Sequence, residues 1–334
     1  LKEVPSITFR FLQEGKKMNE DYAIKDTVKD SVKDSEKEDI IDALKNDGEN
    51  PVNSKPFSFY FNLSIKYFIL SAIAITLFFP FILAFFGTFK SNAEITLWPP
   101  KILPSKWLWE NWLITWKTDL GRGGTFPRWL FNTAFLSIII ATLQVVFCSL
   151  AGYAFARLRF RGKEIIFTFM ISSMMLPGVV TLVPKYVMMA KLKLINTYWS
   201  LILPGAVEAF GIFLLTQYFK SIPHELEEAC MIDGASYFRI YRTVVLPLSR
   251  PALLTLYILK FQAMWNNFLD PLLYLNRVNM WTLTVALMTF QQQYKAQWNL
   301  TLVGAMFNAI PVLVIFFFFS RYYIEGVSYS GLKT

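Results

Sequence analysis

The side chains on which enzymes most often build a reaction centre are scarce in this chain. It has one histidine, His224, and two cysteines, Cys148 and Cys230, with no CxxC and no Cys/His cluster beside either. Neither a disulfide framework nor a zinc site is indicated. It also lacks a GxxxxGK[ST] phosphate loop, an HExxH and a GxSxG, so the usual marks of nucleotide hydrolysis, zinc proteolysis and serine hydrolysis are missing. No enzymatic activity of its own and no metal site are expected. No apolar core with a small-residue cleavage site precedes residue 67, which argues against a secretory signal peptide.

What the chain has in excess is apolar surface. Of 334 residues, 54% are hydrophobic and 17% aromatic against 17% charged, and the mean hydropathy is +0.38. That is too apolar for a water-soluble domain unless long stretches face lipid. An all-α membrane protein is the expected class. Its formal net charge is +9, yet residues 1–66 hold 11 Lys/Arg against 13 Asp/Glu, leaving 22 against 11 beyond. A basic excess confined to the apolar part fits cytoplasmic loops that follow the positive-inside bias, so nucleic acid is not an expected partner.

Residues 1–56 are polar and nearly charge-balanced. They cannot bury enough apolar surface to form a core and read as a disordered cytoplasmic tail. Ile24, Val28 and Val32, then Ile40, Ile41 and Leu44, fall at partly helical spacing, the pattern of an amphipathic helix formed transiently or on a partner. Met18 offers an alternative start to Leu1.

Residues 57–334 are expected to form a six-helix transmembrane domain. Six apolar segments approach the ~20 residues that cross ~30 Å of hydrocarbon as a helix: 67–89, 132–155, 165–189, 199–218, 252–272 and 300–322. Arg157, Arg159, Arg161 and Lys163 lie between the second and third and place that loop in the cytoplasm. By alternation both termini are cytoplasmic, as is the loop 219–251 with Lys220, Arg239, Arg242 and Arg250. The long first external loop carries Trp98, Trp107, Trp109, Trp112 and Trp116, which suit an interfacial aromatic belt or a docking surface for an external partner. Pro177, Pro184 and Pro204 interrupt the third and fourth segments and remove backbone donors that neighbours or a water-lined path must replace.

The informative stretch is the cytoplasmic loop. Its first helix is expected to take Ser221 as N-cap, Pro223 in the first turn and Glu225, Glu227 and Glu228 against the positive helix end. Gly234 is placed to stop it in the left-handed conformation. A second short helix, about 236–243, presents Tyr237, Phe238, Ile240 and Tyr241 to water, a shape suited to insertion into a groove on another protein.

Here the sequence resembles the permease subunits of bacterial binding-protein-dependent ABC importers. Their cytoplasmic signature runs Glu-Ala-Ala, three residues, Gly, nine residues, Ile, one residue, Leu-Pro. In this chain it reads Glu228-Ala229-Cys230, Gly234, Val244 and Leu246-Pro247 with every interval kept; Cys230 and Val244 are conservative departures. The surroundings, with Trp265-Asn-Asn-Phe-Leu-Asp270 and Phe319-Ser-Arg-Tyr-Tyr-Ile-Glu-Gly326, look like the carbohydrate branch, more specifically its maltose-transporter-type second permease. The likeness covers about residues 60–334.

The resemblance implies a coupling helix between membrane helices four and five that docks a cytoplasmic ATPase, formed by Glu225, Glu228, Ala229, Cys230, Asp233, Gly234, Ala235, Val244, Leu246 and Pro247. It further implies a second homologous permease, two cytoplasmic ATPase subunits that bind ATP and Mg, an extracellular sugar-binding protein, and a bacterial plasma-membrane location. No cofactor would belong to this chain. Within the membrane, Glu208, Lys260 and Asp270 are the ionisable residues, and such groups face a bundle interior or cavity; Lys185, near a boundary, is placed to snorkel. Sugars need polar side chains and aromatic faces, so Glu208, Gln262, Trp265, Asn266 and Asn267 are the candidates for lining a substrate path. The rival class is a proton- or ion-coupled secondary transporter, which calls for internal repeats and paired mid-membrane carboxylates.

Overall fold

The computed structural model describes residues 57–293 and 297–331. The polar segment 1–56, with Met18 and the spaced Ile24, Val28 and Val32, lies outside the described residues. Every regular element among the described residues is helical, apart from an isolated bridge between Asp119 and Thr125. In chain order the helices are α1 (Phe57–Gly87), α2 (Asn92–Ile95), α3 (Glu110–Trp116), α4 (Phe126–Arg157), α5 (Lys163–Ser173), α6 (Leu182–Lys191), α7 (Trp199–Gly205) and α8 (Ala209–Ser221). They continue with α9 (Glu225–Ile232), α10 (Tyr237–Ile240), α11 (Leu246–Leu248), α12 (Arg250–Trp265), α13 (Leu269–Tyr274), α14 (Leu283–Gln293) and α15 (Trp298–Gly331). The chain divides into two units at Leu77 and Phe78, inside α1; the packing that follows is that of the unit from Phe78 onward.

The hub is α4. Extended Thr125 enters it, Pro127 sits in its first turn where no N–H is needed, and extended Leu158 ends it. Its 32 residues give a rod of about 48 Å. Leu136, Ile140, Gln144, Cys148 and Gly152 are all buried and recur every fourth residue, one stripe of the helix. Against it pack α8 and α12. A Cβ on Gly152 would stand 3.1 Å from Leu215 Cβ and 3.2 Å from the Thr216 backbone nitrogen, so α4 and α8 meet backbone to backbone, as small residues allow between membrane helices.

Four stretches are long and apolar enough to cross a bilayer: Leu63–Gly87, Phe126–Arg157, Trp199–Ser221 and Trp298–Phe318. A fifth arises if the pair Tyr237–Leu248 and Arg250–Trp265, bent by 77°, is one span. Three of the six expected segments are not single helices. The third expected span is two helices, α5 and α6, parted at residues 174–181, where Pro177 withholds a donor and disfavours helix at Leu176. The fourth is broken at 206–208, just past Pro204. The fifth, expected to reach Leu272, stops at Trp265: Asn266 Nδ2 donates back to Gln262 O (3.0 Å) and Asn267 Oδ1 accepts from Asp270 N (3.3 Å), local bonds that compete with helix continuation.

In the first loop, Asn111 Nδ2 donates to Thr88 O (2.8 Å) and Lys90 O (3.0 Å), and Asn299 Nδ2 donates to Asn111 Oδ1 (3.1 Å), which ties α3 to the end of α1 and the start of α15. The tryptophans divide. Trp107, Trp109 and Trp112 surround buried Phe89, while Trp112 and Trp116 pack on Phe307. Trp98 alone of the five is almost fully exposed, at 89%.

Candidate functional site

Two places in the fold gather the residues that the sequence singles out. The first is the loop after α8. Ser221 does not cap α9: it is the last residue of α8, its Oγ donating to Tyr218 O (2.7 Å), and α9 starts at Glu225 after His224, with Pro223 ahead of the helix. The three glutamates do sit in the first turn of α9, against the positive helix end. Gly234 ends the helix with φ +78°, its N–H meeting Met231 O at 3.0 Å while Ala235 N reaches Cys230 O at 2.9 Å.

Ser236 Oγ then accepts from Arg239 N (3.4 Å) at the start of α10. The chain runs on through a wider π-helical turn, Tyr241–Val245, into α11. The expected exposure of Ile240 and Tyr241 is corrected: both are buried, in a core with Tyr153, Ile212, Phe219 and Leu256, and the Tyr241 hydroxyl shares a hydrogen bond with Ser149 Oγ (2.7 Å). Leu226, Met231, Ile232, Tyr237 and Phe238 remain exposed, Ile232 at 87%. Glu225, Glu228, Ala229 and Asp233 are exposed beside them, Cys230, Ala235, Val244 and Leu246 are half-buried, and Pro247 is exposed.

The loop is held from behind by one arginine. Arg157, the last residue of α4, donates from Nε to Glu227 Oε1 (2.5 Å), from Nη2 to Ile222 O (2.6 Å) and from Nη1 to His224 Nε2 (2.9 Å). A guanidinium has no acceptor, so His224 accepts at Nε2 and carries its proton on Nδ1. The side chains of Arg157 and Glu227 are 3% and 2% exposed. Neither partnership is visible in the sequence, where Arg157 counts only toward topology and Glu227 only toward the helix dipole.

The second place is a cavity of about 620 Å³. Residues 174–181, 206–208 and 266–268 are the three breaks described above, and each contributes to its wall, through Met174 and Gly178, through Val207 and Glu208, and through Asn267. Ile140, near the middle of α4, also lines it. Glu208, 51% exposed, accepts at Oε2 from Lys260 Nζ (3.1 Å) and from Gln144 Nε2 (3.3 Å). Asp270 Oδ2 accepts from Asn267 Nδ2 (2.8 Å). Of the five path candidates, Glu208 and Asn267 line this cavity. Gln262 and Asn266 are exposed outside it, and Trp265 is core, donating from Nε1 to Asn308 O (3.0 Å) and stacked on Phe261. Lys185 and Tyr274 line it too; the sequence reading gave the first to the boundary and passed over the second. Among the described residues no cluster of His, Cys, Asp and Glu could hold a metal ion.

The family model of the binding-protein-dependent transport system inner membrane component matches residues 144–326, more than half the chain, and takes in the loop and all of the cavity's lining except Ile140. The chain belongs to this family. Among relatives, the arabinooligosaccharides transport system permease protein AraQ of Halalkalibacterium halodurans is 35% identical over 212 residues, 64% of this chain and 76% of the relative. The sn-glycerol-3-phosphate transport system permease protein UgpE of Salmonella typhi is 31% identical over 263 residues, 78% of this chain and 93% of the relative. The fold matches a chain of a crystal structure of a bacterial ABC transporter involved in the import of the acidic polysaccharide alginate, with TM-score 0.69, 23% identity, and coverage of 82% of this chain and 99% of that one. As a member of an inner membrane component family with several apolar helices, the chain is a multi-pass membrane protein of a transport system.

Proposed function

We propose that the chain is one permease subunit of an ATP-driven, binding-protein-dependent importer of sugars, and that it moves substrate by alternating access while its partners carry the chemistry. The reading counts six crossings: α1, α4, the broken pair α5 and α6, the broken pair α7 and α8, α12 with α13, and α15. It makes residues 225–247 the coupling loop seated on one of two cytoplasmic ATPase subunits that bind ATP and Mg. A second, homologous permease and an external sugar-binding protein complete the assembly. The relatives' names, arabinooligosaccharide and glycerol phosphate permeases, support a small polyhydroxylated cargo.

The observation that carries the proposal is the build of the loop. A short helix with Leu226, Met231 and Ile232 exposed around it, and a buried Arg157–Glu227 pair fixing it to α4, is a rigid handle with apolar surface to offer a partner. The test is reconstitution with the candidate ATPase, second permease and binding protein, followed by sugar uptake with ATP inside the vesicle. ATP-dependent uptake, together with a crosslink from position 232 to the ATPase, is expected. Uptake that follows an imposed proton or ion gradient without ATP would put the chain in the secondary-transporter class instead.

A further inference from the structure

A helix that crosses a bilayer hands the following chain to the headgroup layer, where aromatic and basic side chains are favoured. Irregular backbone is tolerated at that depth and not in lipid-exposed hydrocarbon. α1 shows Phe78, Phe81 and Phe85 on its surface and ends at Gly87. The segment 90–109 that follows is irregular apart from α2, yet it is pinned onto the end of α1 and onto itself. Leu108 N donates to Phe89 O (2.9 Å), and Lys90, only 5% exposed, donates from Nζ to Lys101 O. Glu94 Oε1 accepts from Ser105 N (2.8 Å) and from Ser105 Oγ (2.9 Å). Between those anchors the chain holds apolar side chains outward: Leu97, Trp98, Ile102 and Leu103 are all exposed. Pro99, Pro100 and Pro104 stand among them and carry no N–H, so the stretch brings few backbone donors that need water.

The exposed surface of α1, one of the stretches that suit a bilayer, runs into this segment. Phe85 meets Phe86 (ring centroids 5.8 Å apart), Phe86 meets Trp107 (6.0 Å), and Trp107 stacks with Trp109 (6.3 Å), both tryptophans being exposed. The free charge beside the apolar tip is of one sign. Lys101 and Lys106 are exposed there, while Glu94, the one acidic residue from 90 to 109, is occupied with Ser105. An apolar edge flanked by cations is the pattern of a segment lying in the bilayer interface over anionic lipid. We propose that residues 97–109 are a wedge seated in the headgroup layer beside α1, with Leu97, Trp98, Ile102 and Leu103 reaching the acyl boundary and Lys101 and Lys106 holding anionic phospholipid headgroups. The partner of this surface is a lipid layer. Asn111, bonded to Thr88 O, to Lys90 O and to Asn299 beside the wedge, passes the depth so fixed to the ends of α1 and α15. The wedge requires that the chain cross a membrane and goes beyond the sugar-importer reading, on which it does not rest.

The test places the photoreactive residue p-benzoylphenylalanine at Trp98, at Leu103 or, as a control, at exposed Arg122 in the turn before α4. The full chain, purified with its partner subunits, is irradiated in nanodiscs of equimolar phosphatidylcholine and phosphatidylglycerol, and the adducts on each peptide are read by mass spectrometry. Phospholipid adducts at 98 and at 103 at least about tenfold above those at 122 are expected. Phosphatidylglycerol should exceed phosphatidylcholine among them by about threefold or more, and Lys101→Gln combined with Lys106→Gln should bring that ratio close to one while the total lipid yield holds. Two probe positions are used so that one which disturbs assembly leaves the other to decide. Lipid yields at 98 and 103 no higher than at 122, or adducts there to a second permease or an external binding protein in place of lipid, overturn the wedge. A lipid ratio near one in the wild-type background, or one that the double variant leaves unchanged, overturns the headgroup assignment.

Discussion

Glu227→Ala removes the partner of a buried cation, and its cost can be worked from the geometry. Arg157 and Glu227 are both about 97% buried, 2.5 Å apart, and the guanidinium spends its two remaining bonds on His224 and Ile222 O. Truncating one side of such a pair leaves an uncompensated charge and costs about 3–5 kcal/mol. The pair joins the end of α4 to the first turn of α9, so the loss falls on the docking of the loop and not on the apolar core around Leu215 and Phe219. Expressed as a local opening equilibrium, about 3–5 kcal/mol is two to three and a half orders of magnitude. Hydrogen exchange of the purified wild-type and variant complexes, followed over peptides spanning 222–233, should show faster exchange there by about a hundredfold or more, with peptides of α4 unchanged. Arg157→Met combined with Glu227→Leu replaces the pair by apolar groups and should recover most of the protection, since buried pairs and well-packed apolar substitutes come out nearly even. Exchange in 222–233 that rises less than about threefold in Glu227→Ala would refute the claim that this pair holds the loop.

Four further outcomes follow from the same geometry. Ile232→Asp on the exposed face of α9 should weaken ATPase association about 10- to 100-fold, measured by titration in detergent, because burying an isoleucine contributes about 1.5–3 kcal/mol. Gly234 has φ +78° and open space around it, so Gly234→Ala should cost about 1–2 kcal/mol of local stability through backbone strain alone, with Gly234→Asn milder, read by exchange at 231–236. A Cβ on Gly211 would fall 2.9 Å from Cys148 Sγ and 3.2 Å from Gln144 Nε2, so Gly211→Val should destabilise by about 1–3 kcal/mol in thermal denaturation, while Gly178→Ala, with nothing within 4 Å, should have no such effect. The purified chain alone should show no ATP turnover, and measurable hydrolysis without partners would contradict the division of labour proposed above.

The helix-stop-helix shape of the loop after α8 was legible in the sequence because its information is local. Helix polarity, a glycine stop and a spaced signature are all properties of contiguous residues, and Gly234 stands where that spacing puts it. What escaped notice is long-range. Glu227 finds Arg157 seventy residues away, and a run of arginines that marks sidedness does not reveal which one turns inward. Ser221 was misjudged for a related reason: α8 packs its last turn through Phe219 and Ile222 into the core around Leu215, and that burial carries the helix past a good capping residue. The membrane segments were legible as apolar runs but not as helices. Pro177 and Pro204 mark where the third and fourth break, but nothing in the sequence says that both breaks open on one cavity.

Those breaks bear on how a motion at the loop can reach the cavity. Between its start at Ala209, which lines the cavity, and its end at Ser221, which meets the loop, α8 is 13 residues, or about 20 Å. It is locked to α4 in its middle at Gly152 and in its first turn at Gly211, and its lower half shares one core with Tyr241 and Val245 of the loop and with Leu256 of α12. Packed cores of this density do not deform continuously, so a pull on α9 and α10 is delivered to α4, α8 and α12 together. The upper end of α8 differs: residues 206–208 are non-helical, and Glu208 bonds to Gln144 on α4 and Lys260 on α12 through single polar contacts. The joint in the chain of force therefore lies at the cavity wall, between α8, which shares the loop's core, and α7, whose Leu201 and Ile202 pack with Leu136 and Ile140 in a separate one. A disulfide engineered across residues 205 and 140, where a Cβ on Gly205 would stand 2.8 Å from Ile140 Cγ2, would stiffen that joint without touching the loop. It should abolish transport while leaving ATPase association intact, and transport that survives the crosslink would show that the movement does not pass through this break.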